Sequence, residues 1–246
     1  MRKTERLYHD SPVRSEIDTV VVKIHPEHLE FASTIAYPEG GGQDSDIGII
    51  TNITTGCRVS FNHVKKIYSQ RKKIENDSWV NVEGVILHHV ENFDIGLEDF
   101  FSPGDAVKIE IDKERRERIS IAHSASHLLY MGIKKLRPKE IKNIVGCHIR
   151  EGAARFDLKG GEKFNLEDIS WIEKFTNELI SRDLPIAVYA SDAHPDARFW
   201  SCDGVEIPCG GTHTTNTGSI GTLKIKRKGL GKNRERLICL LENKIK

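Results

Sequence analysis

His123 and His127 are the first residues whose types and spacing could do chemistry. They lie in the run 119–130, which contains no Gly or Pro and predicts a helix. At 3.6 residues per turn, side chains four apart share one helical face, so two imidazoles there can bind one metal ion from a rigid support. The alternative is ordinary polar packing, because two histidines at this spacing also occur by chance.

Cys209 and His213 form a second pair at the same spacing and enclose the sequence Gly-Gly-Thr. The glycines allow a sharp turn and a close approach of the backbone to a ligand. A tight turn with a structural cysteine is the alternative, but it does not explain the histidine. Three imidazoles and one thiolate suit a tetrahedral Zn²⁺ site, either closed and structural or open and catalytic. Cys202 is an alternative ligand, but no residue accompanies it at ligand spacing.

A third motif, Tyr-Pro-Glu-Gly-Gly-Gly-Gln, occupies residues 37–43. Successive glycines in a β-rich region predict an exposed loop whose amides can contact a ligand, with a flexible hairpin tip as the alternative. The loop lacks the GxxxxGK[ST] pattern and precedes no helix, so it is a poor phosphate cradle. We take Glu39 and Gln43, which flank the glycines, as candidate catalytic residues. The candidate substrate-binding glycines are Gly40, Gly41 and Gly42.

The elements that must position these motifs change type at Asp112. Before it, short runs rich in β-branched residues and separated by polar turns predict a small antiparallel β-barrel. The predicted strands are 19–24, 48–53, 78–80, 85–90 and 106–111. Asp112 is a suitable N-cap for a helix that runs through the histidine pair and ends before Pro138. We place a domain boundary here, between a barrel domain at 1–111 and a metal-binding domain at 112–246.

The second domain combines helical and extended patterns, which predicts an α+β fold. A second helix begins near Phe164 and continues through Ile180, with apolar residues at helical spacing. Strands are predicted at 185–190, 220–225 and 236–241.

Composition excludes several classes of protein. No run of about 18 apolar residues exists, so no membrane span is expected, and the polar N-terminus indicates no secretory signal. Five cysteines, an odd number, indicate a reducing compartment, and we expect a cytoplasmic protein. The net charge of +1 hides an asymmetry, because residues 224–246 hold nine Lys or Arg and two Glu. This basic segment is either a contact for a polyanion or a solvated strand pair.

Taken together, these motifs resemble the editing module of alanyl-tRNA synthetases and its free-standing relatives, the AlaX trans-editing proteins. The resemblance spans nearly the whole chain, from about residue 30 to 240. Both ligand pairs are shared with threonyl-tRNA synthetase editing domains, whereas the glycine-rich loop points to the alanyl type. The stretches that carry it are 37–43, 123–129, 155–157 (Arg-Phe-Asp), 208–213, 216–221 and the basic segment from Lys226 to Arg236.

The resemblance implies hydrolysis of the ester in misacylated tRNA, typically seryl-tRNA(Ala), in trans. It implies that the second domain is a two-layer α/β editing domain, with zinc held by His123, His127, Cys209 and His213. It implies tRNA as the partner and no aminoacylation domain, hence no use of ATP. The candidate contacts for the tRNA backbone are Lys226, Arg227, Lys232 and Arg234.

Two positions depart from the family pattern. Ala36 stands where the loop usually has an aromatic residue, and 145–150 has no clear counterpart of the family's Gln or Thr near the substrate side chain. Cys147 is the candidate substrate-binding residue in that segment. The competing hypotheses are a tRNA-binding module with a structural zinc, a threonyl-type editing deacylase, and a zinc hydrolase of another ester.

Overall fold

The computed structural model describes residues 3–10, 13–75, 78–91 and 96–242. Its first half is built from short strands. These are β1 (Glu5–Arg6), β2 (Glu16–His25), β3 (His28–Phe31), β4 (Ser33–Thr34), β5 (Gly48–Asn52), β6 (Arg58–Ile67), β7 (Gln70–Lys73), β8 (Trp79–Val82), β9 (Val85–Val90) and β10 (Ala106–Ile111).

Six of these strands close an antiparallel barrel in the order β10-β2-β3-β9-β6-β5. Buried and exposed residues alternate along β2, because successive side chains of a strand point to opposite faces. Leu29, Ile50, Phe61 and Ile109 fill the interior. The predicted small N-terminal barrel is confirmed. Two of the barrel strands, β3 and β6, were not among the predicted strands.

The second half contains two helices and two further sheets in the described residues. Its elements are α1 (Lys113–Leu136), β11 (Ile144–Arg150), β12 (Ala153–Lys159), α2 (Leu166–Ser181), β13 (Ala187–Ser191), β14 (His194–Cys202), β15 (Val205–Pro208), β16 (Thr222–Gly231) and β17 (Arg234–Glu242). An antiparallel sheet has the order β11-β12-β17-β16, and a smaller one the order β13-β14-β15. Both helices pack on the larger sheet and on each other, which confirms the two-layer α+β fold.

Helix α1 carries the histidine pair and follows directly after barrel strand β10. The Asp112 side chain accepts a hydrogen bond from the Arg115 amide (2.9 Å), which caps the helix as the sequence predicts. The helix ends at Leu136, just before Pro138. It is amphipathic and carries several charged residues. No helix within the described ranges has both the length and the apolar character needed to cross a bilayer.

The N-terminal segment, residues 3–10, lies between the barrel and β14. Strand β1 pairs in parallel with β4 of the barrel region. Lys3 forms an ion pair with Asp196 (2.9 Å), and Asp10 accepts a hydrogen bond from Arg198 (2.9 Å). The segment therefore links the two halves of the chain beside the site described next.

Candidate metal centre

The two predicted ligand pairs meet at one point. One nitrogen of each imidazole and Sγ of Cys209 all lie within 4.8 Å of one another. Sγ of Cys209 is 3.4 Å from Nε2 of His123 and 3.3 Å from Nε2 of His213. His123 and His127 stack one helical turn apart, with ring centroids separated by 5.0 Å. The rigid helix thus supplies two ligand atoms, and the turn after β15 supplies the other two.

Hydrogen bonds on the outer side of the cluster fix two of the imidazoles. The backbone amide of Thr212 donates to Oε1 of Gln43 (3.0 Å), which identifies that atom as the carbonyl oxygen of the side chain. Because an oxygen of this kind can only accept, the hydrogen bond with Nδ1 of His123 (2.7 Å) is donated by the imidazole. Ser124 Oγ donates to the Ser120 carbonyl (3.0 Å) and lies 3.3 Å from Nδ1 of His213. Both rings therefore carry their proton on Nδ1 and direct the lone pair of Nε2 into the cluster.

Burial keeps the cluster uncharged in the absence of a cation. It lowers the pKa of His123 to about 3, and lowers the pKa of His127 and His213 well below the usual value. The neighbouring imidazoles lower the last two further. Burial also raises the pKa of the Cys209 thiol to about 12. Neutral imidazoles are the metal-binding form, and the thiol needs a nearby cation to ionise.

The residues fit a tetrahedral metal ion. Bond lengths of about 2.3 Å to sulfur and about 2.0 Å to nitrogen place tetrahedral ligand atoms about 3.3–3.5 Å apart. The two sulfur–nitrogen distances agree with this spacing. Nε2 of His127 is buried and has no hydrogen-bond partner among the described residues, and a metal ion would satisfy it. The cluster could therefore hold a metal.

The glycine-rich loop is docked against the metal-binding half. Ile149 of β11 donates its amide to the Gly42 carbonyl (2.7 Å), and its own carbonyl accepts from the Asp44 amide (3.0 Å). A Cβ atom on Gly42 would lie 2.7 Å from the carbonyl oxygen of Cys147, so only glycine allows this approach. The structure thus brings the loop, which the sequence predicts to be exposed, into contact with the cluster through Gln43.

Gln43 contacts the side of His123 that faces away from the cluster, and it does not line the cavity described by the residues around Cys209. It is 1% exposed, and besides accepting two hydrogen bonds it donates Nε2 to Thr212 Oγ1 (3.0 Å). Asp46 anchors the same loop by accepting from the Tyr37 amide (2.6 Å) and from Nε of Arg116 on α1 (3.0 Å). These contacts fix the position of the loop relative to α1.

A cavity of about 510 Å³ opens in front of the cluster. His123, His127 and Cys209 line it, together with Gly40, Gly41, Cys147 and Glu39 from the predicted set. Glu39 is exposed at the cavity and lies 2.8 Å from Nε2 of His63. The segment 144–150 around Cys147 forms a strand, β11, with a bulge near its start, which the sequence does not indicate.

The basic hairpin lies elsewhere. Its four predicted contact residues are exposed and do not line the cavity: Lys226 and Arg227 lie on β16, Lys232 lies in the turn, and Arg234 begins β17. Strand β16 is the edge of the sheet opposite β11, the strand that reaches the cavity. Nε of Arg227 donates to the Glu235 carboxylate (2.6 Å). Two other residues of the predicted basic segment, Lys244 and Lys246, lie outside the described residues.

Several residues at the site carry no sequence signal of their own. Trp200 is fully buried and stacks on His127, with ring centroids 4.6 Å apart. Arg6, Tyr8 and His9 of the N-terminal segment line the cavity. Ser120 and Ser124 lie on the predicted helix, one turn before His123 and His127, so their spacing could have indicated them.

The fold and the site define an α+β protein with a three-histidine, one-cysteine cluster, buried on its helical side, in a cleft beside a β-barrel. A family model described as "Threonyl and Alanyl tRNA synthetase second additional domain" matches residues 201–237. The alanine–tRNA ligase of Methanothermobacter thermautotrophicus is 30% identical over 250 residues, which cover 91% of this chain and 24% of that protein. Those of Methanococcus aeolicus and Methanosarcina mazei are 29% and 30% identical over 242 residues, with the same coverage.

These similarities confirm the resemblance to the alanyl-tRNA synthetase editing domain and its AlaX-type relatives. The chain spans about a quarter of the length of the curated relatives it matches. The similarity extends over 91% of this chain.

Proposed function

We propose that this protein is a zinc-dependent aminoacyl-tRNA deacylase. It hydrolyses the ester that joins a wrong amino acid to the end of tRNA, with seryl-tRNA(Ala) as the preferred substrate. It acts in trans, on tRNA that another enzyme has charged, and so serves the fidelity of translation in the cytoplasm. The observation that carries the proposal is the convergence of the four ligand atoms beside the glycine-rich loop, in a chain similar to alanine–tRNA ligases.

His123, His127, Cys209 and His213 would hold the zinc ion. Bound there, zinc would polarise the ester carbonyl, lower the pKa of a bound water or orient the substrate. Gln43 keeps the Nε2 lone pair of His123 directed at the cluster through the 2.7 Å hydrogen bond to Nδ1. The glycine-rich loop forms the opposing wall, where Gly40 and Gly41 leave room for the substrate.

Of the two carboxylates that line the cavity, Glu39 is exposed and could take a proton from a water molecule. Its carboxylate is exposed and lies 2.8 Å from His63, so it can exchange protons with solvent. Because it lies at the solvent side of the cavity, Glu39 can serve as a base without the cost of a buried charge.

Preference for serine over alanine requires a hydrogen-bonding pocket. A pocket cannot exclude the smaller alanine by size, but groups that bind the serine hydroxyl remain unpaired when alanine enters. Leaving buried polar groups unpaired can reject the wrong substrate strongly. Cys147, which lines the cavity, is the proposed contact of the amino-acid moiety.

The sugar-phosphate backbone of the tRNA would contact the exposed basic hairpin. Lys226, Arg227, Lys232 and Arg234 lie on one hairpin and can contact phosphates without reading bases. Contacts of this kind position the acceptor stem and make binding sensitive to salt.

Deacylation of a panel of esters tests the proposal. Seryl-, glycyl-, alanyl- and threonyl-tRNA, each on tRNA(Ala), are incubated with the zinc-loaded chain and with buffer. We expect seryl-tRNA(Ala) to be hydrolysed fastest and alanyl-tRNA(Ala) to be spared. Hydrolysis of every ester at the buffer rate would contradict the proposal, and preference for the threonyl ester would indicate a threonyl-type deacylase.

The Cys209→Ala variant separates the enzyme from a tRNA-binding module with a structural zinc. A catalytic centre predicts a folded variant without hydrolysis, because two separate apolar cores stabilise the chain. A structural zinc predicts loss of the fold on removal of this ligand.

A further inference from the structure

The cavity in front of the metal centre continues into a cluster of cations that the proposed chemistry does not use. Arg6, Lys66 and Arg198 line the same cavity as His123 and Cys209. They come from β1, β6 and β14, so three separate parts of the chain converge on this end of the cavity. Such a convergence of like charges is unfavourable unless an anion is close.

The carboxylates nearby do not neutralise this cluster. Asp196 is largely buried, but it is shared between Lys3 (2.9 Å) and Arg6 (3.4 Å). The partner of Arg198 is Asp10, whose side chain is 67% exposed and therefore screened by solvent. Nζ of Lys66 donates to a neutral group, the carbonyl of Asn81 (3.1 Å). Glu39, the other carboxylate that lines the cavity, lies 2.8 Å from Nε2 of His63. With three cations against these two carboxylates, the lining of the cavity keeps a net positive charge.

Unused hydrogen-bond donors accompany the charge. Nε of Arg6 and Nε of Arg198 are buried, and neither has a hydrogen-bond partner among the described residues. The Arg6 side chain is only 3% exposed. Buried donors are nearly always satisfied in folded proteins, so two of them beside one cavity indicate a missing acceptor. Burial and the Arg6 charge also lower the pKa of Lys66 to about 8.

We propose that Arg6, Lys66 and Arg198 form an anion subsite for the phosphodiester that precedes the 3′-terminal nucleoside of the substrate. The inference rests on the proposed function, because in aminoacyl-tRNA the ester and this phosphate belong to the same terminal nucleotide. A cavity of about 510 Å³ is large enough for a nucleotide and its amino acid. Guanidinium and ammonium groups are the usual protein partners of phosphate.

With this subsite, the cavity would bind the substrate at two separate groups. The ester lies at the metal centre, and the phosphate lies at the cations. Binding at both groups would orient the terminal nucleotide before hydrolysis, and it would make part of the recognition independent of the distant basic hairpin.

Minimal substrates test the subsite without the rest of the tRNA. The KM for the seryl ester of adenosine is compared with the KM for the seryl ester of adenosine 5′-monophosphate, using the zinc-loaded full chain. One charge-assisted contact predicts a KM about tenfold lower for the phosphorylated ester, with similar kcat. Lys66→Met should abolish the difference, and Lys66→Arg should restore it. Lys108→Met is the matched control, because Lys108 pairs with Glu16 outside the cavity and should keep the difference.

Calorimetric binding of adenosine 5′-monophosphate and of adenosine distinguishes failure of the anion subsite from failure of the proposed deacylase function. Equal KM values for both esters in the wild type, or a difference that survives Lys66→Met, would overturn the subsite and leave the proposed function in place. Equal affinity for adenosine and for adenosine 5′-monophosphate would overturn the subsite as well. Lys66-dependent binding of the monophosphate without cleavage of either ester would overturn the proposed function and leave an anion site.

Discussion

Gly211→Ala tests whether the backbone between Cys209 and His213 must touch the ring of His123. A Cβ atom on Gly211 would lie 2.2 Å from Cε1 and 2.4 Å from Nδ1 of that ring, whereas ordinary van der Waals contact begins at 3.4 Å. It would also lie 2.7 Å from Oε1 of Gln43. The added methyl group therefore collides with a proposed metal ligand, His123, and with Gln43, which orients it.

The size of the effect follows from the overlap. The ring or the turn must move by about 1 Å to restore van der Waals distance. A displacement of about 1 Å in a positioned group costs about 10²-fold in rate, and loss of the partner that orients a ligand costs about 10–100-fold in metal affinity. We expect both losses in Gly211→Ala, with the barrel and the sheet still folded.

Gly210→Ala is the matched control, one residue away in the same turn. A Cβ atom there would meet only Cε1 of His9, at 3.5 Å, which is an ordinary contact. Zinc affinity is measured by competition with a chromophoric chelator, hydrolysis by single-turnover release of serine from seryl-tRNA(Ala), and folding by thermal unfolding of the metal-free protein. If Gly211→Ala binds zinc and hydrolyses the ester as well as Gly210→Ala, the geometry of the centre described above is wrong.

Three further changes address other parts of the account. Gln43→Ala removes the acceptor of the His123 Nδ1–H group, so a competition assay should show zinc affinity lowered about 10–100-fold. Asp46→Ala leaves the buried Arg116 guanidinium without this carboxylate, and chemical denaturation should show a loss of about 3–5 kcal/mol in the free energy of unfolding. Lys226→Ala with Arg227→Ala removes two proposed phosphate contacts, so the slope of log affinity for tRNA against log salt should fall by about 2.

Each of these changes has its control and its contradicting result. Gln70→Ala is the control for Gln43→Ala. It alters an exposed glutamine on β7 and should leave zinc affinity unchanged. An equal loss of zinc affinity in Gln70→Ala and Gln43→Ala would show that Gln43 does not orient His123. Arg118→Ala breaks an exposed ion pair with Glu151 and should cost at most about 1 kcal/mol. A similar cost for Asp46→Ala would show that its ion pair is not a buried one. An unchanged salt slope would place the tRNA on another surface.

The features that were predictable from the sequence are local ones. Strand periodicity predicted the barrel, and the capping residue Asp112 predicted where α1 begins. The spacing of His123 and His127 predicted that both would lie on one helical face. These patterns depend on residues that are close in the chain, where backbone geometry determines which side chains can meet.

The features that were missed depend on contacts between distant segments. Nothing near Arg6 in the sequence indicates that it lines the same cavity as His123, because β1 reaches that place by pairing with β4. Trp200 lies on β14, far along the chain from the ring of His127 on which it stacks. The role of Gln43 likewise depends on docking of its loop against β11. Such contacts follow from topology, which periodicity does not specify.

The most direct test of the central claim is hydrolysis of seryl-tRNA(Ala) by the metal-free protein as zinc is added back. Without zinc we expect a rate near that of buffer. As zinc is added, we expect the rate to rise at least about 10²-fold and to saturate at one zinc per chain. Cys209→Ala should remain folded and should show no zinc-dependent rise in the rate of hydrolysis. Full saturation of the four-ligand centre with zinc while the ester hydrolyses no faster than in buffer would contradict the central claim.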